Sequence, residues 1–230
     1  MENHTLPAGV VLTGSAPRMA SGDRGIVHAG WPGVKTCEYD GIPFAVPRSH
    51  PWTDARANPA FRYYDLRAEP SLIRTSLEDF VPWSHYSAID EVYTLLEWLN
   101  GPTSILESND CAFTGPHANE VPSFPKTLQC SGRVMVLHRA LEKNLSPASV
   151  RSLKDALHRR LQTLDPQFRW GVVGTTIVPV RYVTLPLPDD EQLGNQLMIS
   201  FWAWGSLEAE LMANLGRVVR NMSDGLGANR

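Results

Sequence analysis

Two long runs of β-branched and aromatic residues, 170–185 and 196–204, are followed directly by an apolar stripe at helical spacing. This succession limits the chain to folds that mix sheet with helix. In the second run Leu197, Ile199, Phe201 and Ala203 fall on one face, and Met198, Ser200, Trp202 and Trp204 on the other. The stripe that follows is Leu207, Leu211, Leu215, Val218 and Met222. Gly205-Ser206 is the expected cap of that helix, Glu208 and Glu210 suit its positive end, Arg217 and Arg220 its negative end, and Gly225 its stop. Pro179 interrupts the first run, so that strand must lie at an edge or carry a bulge or bend.

The same periodicities organise the chain upstream. Ile89, Val92, Leu96 and Leu99 predict a helix over 87–100, capped by Ser87 and ended by a left-handed Asn100-Gly101-Pro102 segment. A second helix opens at Ser146-Pro147 and presents Val150, Leu153, Leu157 and Leu161 on one face. The basic residues on its other face, Arg151, Lys154, His158, Arg159 and Arg160, read as a solvated surface. Strands are expected at 103–106 and 133–141, with a long irregular loop between them over 114–127, where Gly115, Pro116, Pro122 and Pro125 fall. Two short strands, 35–39 and 42–46, are expected to pair with each other. Residues 47–70 carry Trp52, Phe61, Tyr63 and Tyr64 and read as a loop packed onto the body.

The resulting order is roughly ββ-α-β-β-α-β-β-α. It predicts an α+β fold, a mixed or antiparallel sheet with about three main helices on one face. Residues 1–32, rich in Gly, Pro and Ser with one short strand at 9–13, are expected to form a loosely ordered arm. Residues 33–230 form the single domain, since no linker or repeat divides them.

Bulk properties exclude several classes of function. A net charge of -3 argues against nucleic acid as a partner and against a polybasic membrane surface. No apolar run is long enough to span a bilayer, and the N-terminus lacks the basic start of a signal peptide. The three cysteines, Cys37, Cys111 and Cys130, are too few and too widely spaced for a disulfide framework, so the cytoplasm is the expected compartment. Lysine occurs only at 35, 126, 143 and 154 among 21 basic residues, a bias typical of GC-rich bacterial coding.

The sequence carries no Walker A loop, G-x-G-x-x-G, G-x-S-x-G, H-E-x-x-H or C-x-x-C motif, and no motif names a cofactor. Chemistry must therefore come from local composition. The densest polar segment is 107–119, where Glu107, Asn109, Asp110, Cys111, His117 and Asn119 follow a strand end. A regular strand there puts Glu107, Asn109 and Cys111 on one face, with Ser108 and Asp110 on the other. The bland alternative is an Asn109-Asp110 turn with Glu107 in solvent.

Three mechanisms are compatible with these residues. A Cys111 nucleophile would need His117 or His138 as base and Asp110 or Asn119 to orient it. Cys111, His117, Cys130 and His138 could ligate a metal, although their spacing fits no standard zinc site and no metal ligands are assigned. His138, on a strand face with Val134 and Val136, could serve as axial ligand to a haem walled by Trp170, Phe201, Trp202 and Trp204, as in an oxygenase. Trp202 and Trp204 are candidates to line a ligand cavity, or simply to cover the last helix. Arg139 is a candidate contact to a substrate carboxylate, although it lies on the strand face opposite His138.

The expectation is a bacterial cytoplasmic enzyme acting on a small polar metabolite, with Glu107, Asp110, Cys111 and His138 in catalysis. Asn109, His117, Asn119, Arg139, Trp202 and Trp204 would hold the substrate. The rivals are a protein-binding module of immunity type, meeting its partner through loop 52–64 and the basic helix, and a sensor that binds a ligand without turnover.

Overall fold

The computed structural model describes residues 35–38, 48–50, 65–119, 125–182 and 193–228. The arm at 1–32, the segment 42–46 and the aromatics at 52–64 lie outside the described residues. In chain order the elements are β1 (Lys35–Glu38), β2 (Arg48–His50), α1 (Leu72–Thr75), a 3-10 turn (Val81–Trp83) and α2 (Ser87–Asn100). Then come β3 (Leu106–Ala118), β4 (Leu128–His138), α3 (Leu141–Leu145), α4 (Pro147–Leu161), β5 (Gly171–Tyr182), β6 (Leu193–Gly205) and α5 (Glu208–Leu226). Among these, no helix is long and apolar enough to cross a membrane.

The strands β5-β6-β4-β3 form a four-stranded antiparallel sheet. The fold is α+β, with α2, α4 and α5 as its three main helices. The alternation in β6 decides which face they cover. Leu197, Ile199, Phe201 and Ala203 join Val134, Val136 and Val173 from neighbouring strands in one buried cluster with Leu211, Leu215, Val218 and Met222 of α5. Ile89, Leu96 and Leu99 of α2 and Val150, Leu157 and Leu161 of α4 complete that cluster. Where Phe201 crosses β4 it faces Gly132, and a Cβ at Gly132 would lie 2.4 Å from the ring and 2.8 Å from the Ala112 carbonyl. The absent side chain is what lets the ring lie flat against the sheet.

Several elements depart from the sequence expectation. β1 and β2 do not pair with each other; both add in parallel to β5, β1 against Val172–Thr175 and β2 against Val180–Tyr182. Pro179 falls between those two ladders, where it has no hydrogen bond to supply on that side. The expected strand at 103–106 begins at Leu106 and runs to Ala118, so the polar segment and the start of the expected loop, 114–118, are strand. β3 tolerates Gly115 and Pro116 because it is the outer strand of the antiparallel set and its register shifts between Thr114 and His117. Two of its amides outside the ladder are capped by side chains, Ser108 by Asn100 (3.3 Å) and Phe113 by Asp79 (3.4 Å). That capping blunts an otherwise exposed edge.

β4 ends at His138, so Arg139 to Leu141 leave the sheet and α3 starts there. Helix α2 starts at Ser87 itself, with Tyr86 as its cap residue, and Gly101 ends it in an extended, not left-handed, conformation. Helix α5 continues through Gly225 and stops at Gly227, which takes the left-handed conformation at φ 95°.

Candidate functional site

The register shift between Ser108 and Asp110 changes the site more than any other feature. Ser108 pairs with Val136 and Asp110 with Met135, so Asn109 is an extra residue inserted in β3 at a register shift. A bulge of this kind turns the following side chains over. Glu107, Asn109 and Asp110 therefore share the face opposite the main helices, whereas Cys111, paired with Val134, packs against the helix-side core. The expected grouping of Glu107 and Asn109 with Cys111, apart from Asp110, is thereby corrected.

On that opposite face the polar side chains engage one another. Asp110 accepts from Arg133 Nε at 3.3 Å and Nη2 at 3.1 Å, both through Oδ2. Asn109 Nδ2 donates to Gln196 Oε1 of β6 at 3.2 Å, and the ring of His117 meets Gln129 at 2.9 Å. Glu107 is paired with Arg67 at 3.3 Å. Met135, Met198 and Val178 form a small apolar island among them, and Leu137, Val180 and Tyr182 another beneath Leu141 of α3. Trp202 and Trp204 lie on this face, paired with Ser131 and Gln129. They point away from α5 and so do not cover the last helix.

The remaining candidates are dispersed. His138 faces the helix side, across from Leu106, and so is separated from Glu107, Asn109 and Asp110 by the sheet itself. Cys111 sits opposite Val134, four residues from His138 along β4, about 13 Å at strand spacing. His117 donates through Nδ1 to the Gly115 carbonyl at 2.8 Å and lies on the other face from Cys111. Burial, the negative charge of Asp110 and, more weakly, that of Asp79 push the Cys111 thiol up, against an opposing pull from Arg133. Burial pushes up Cys130 as well, so neither thiol is poised as a thiolate. Among the described residues no three His, Cys, Asp or Glu side chains gather in a metal-binding group.

Arg139 and Asn119 have structural partners. Arg139 donates to the carbonyls of Leu99 (3.0 Å), Gly101 (2.5 Å) and Leu106 (2.9 Å), tying the end of α2 to the start of β3. Asn119 closes the β3–β4 connection, its amide N–H to Thr127 and its side chain to Lys126. Within the basic face of α4, His158 turns inward to Thr175 at 2.6 Å and Arg160 bonds the Gly225 carbonyl.

His138 is half-buried, and neither ring nitrogen makes a hydrogen bond of good geometry. Its backbone is clamped by Asn144, which accepts from its N–H at 2.8 Å and donates to its carbonyl at 2.5 Å. Burial and then Lys143 hold the imidazole below its usual range, with the Ser149 backbone acting the other way. The ring is thus neutral at pH 7. Because the unfolded chain takes up this proton more readily, stability contributed by the neutral ring falls as pH drops through the unfolded value of about 6.5. Replacing His138 with leucine is expected to flatten the loss of stability between pH 7.5 and 5.5 measured by urea denaturation. An unchanged slope would assign that acid sensitivity to other groups.

The sequence reading missed Arg133, Gln129 and Gln196. A signal existed for the first two, because Gln129, Ser131 and Arg133 recur at every second position of a strand whose other face is apolar. No protein-family model matches the chain, and comparison with curated proteins and with solved structures finds no match.

Proposed function

We propose that the chain binds a small polar metabolite on the sheet face opposite its helices, acting in the bacterial cytoplasm. The observation that carries this reading is Gln196. Its side chain is 0% exposed, its Oε1 is held by Asn109, and its Nε2 has no acceptor. A buried donor left without an acceptor costs about 1–3 kcal/mol, and such groups in a folded protein usually serve a ligand or an ordered water. Around it lie polar groups held rigidly by their neighbours, with Met135, Met198 and Val178 supplying apolar contact. That mixture of a few fixed polar groups on an apolar ground is the usual makeup of a small-molecule site.

Binding is the reading favoured over turnover, because the thiol and histidine candidates are separated and Cys111 is held protonated. If the bound molecule is also transformed, the carboxylates of Glu107 and Asp110 are the acid–base groups on the correct face. The cytoplasmic placement is supported by the free Cys111 and Cys130.

Gln196→Met tests the reading, since methionine matches glutamine in shape and has no N–H. The ligand-free variant is expected to be as stable as the parent or up to about 1 kcal/mol more stable. At the same time it should lose the thermal stabilisation that the parent gains from its ligand in a metabolite survey. A destabilisation above about 2 kcal/mol would mean that Nε2 serves the fold, and the reading would fail.

A further inference from the structure

We draw no further inference here: the strongest candidate, the buried face of the sheet opposite the main helices around Met135, Met198 and Val178, lies under no described element, and nothing in the structure shows what covers it.

Discussion

Replacing Arg133 with methionine is expected to cost the fold about 3–5 kcal/mol, the usual penalty for removing one partner of a buried ion pair. Asp110 and Arg133 are 4% and 10% exposed at their side chains, on a face where Met135 and Met198 are also buried. Truncating the arginine leaves the carboxylate short of its main counter-charge in a poorly hydrated place. With typical domain stabilities of about 5–15 kcal/mol, such a loss removes much of the margin. The double variant Asp110→Leu with Arg133→Met should recover most of it, because two apolar side chains restore packing and leave no buried charge. Urea denaturation of the parent, both single variants and the double variant gives the coupling directly. A loss below about 1 kcal/mol for Arg133→Met would show that water reaches the pair, and the pair would then count as an ordinary surface contact. Added salt should barely change the result for a buried pair, whereas it would weaken an exposed one.

Phe201→Ala is the second large expected effect, again about 3–5 kcal/mol. The ring is fully buried between the sheet and α5, and it lies against Gly132 of the neighbouring strand. Removing it opens a cavity that the flanking strands are too firmly paired to close. Gly132→Ala probes the same contact from the other side and should itself destabilise, since the new Cβ meets the ring at 2.4 Å. In a Phe201→Leu background that penalty should shrink but not vanish, because the Ala112 carbonyl, 2.8 Å from the same position, is backbone and cannot swing aside. Strictly additive losses in this cycle would mean that the ring and the glycine do not depend on each other.

The pattern of these effects shows what was legible in the chain and what was not. The alternation in 196–204 correctly assigns Leu197, Ile199, Phe201 and Ala203 to the helix-covered face, because strand side chains alternate whatever the partner. The stripes of α2, α4 and α5 were legible for the same reason: a helix 3.6 residues per turn must place its apolar residues on one side to be buried at all. The acidic start of α5 also follows from local rules.

The candidate site was legible as a composition but not as an arrangement. Glu107, Asn109 and Asp110 stood out as a polar group within an otherwise ordinary stretch, yet the sequence placed Asp110 on the wrong face. A single extra residue at Asn109 reverses every side chain after it, and nothing local marks where a strand will slip by one against its partner. Residues 114–118 likewise read as part of a loop because Gly115 and Pro116 weaken strand propensity, which pairing to β4 overrides. The dispersal of His138, Cys111 and His117 depends on the same pairing, since proximity in sequence does not decide which side of a sheet each residue meets.

By itself, then, the sequence determined the α+β class, the three main helices and the helix-covered face of β6, because each depends on a periodicity that short segments carry. Only the tertiary structure decided that β1 and β2 join β5, that a bulge gathers Glu107, Asn109 and Asp110 beside Arg133, and that Gln196 reaches Asn109 across β4. Those are contacts between residues up to 137 positions apart, as between Lys35 and Val172, set by which strand edges meet and in what register, and no local propensity encodes that choice.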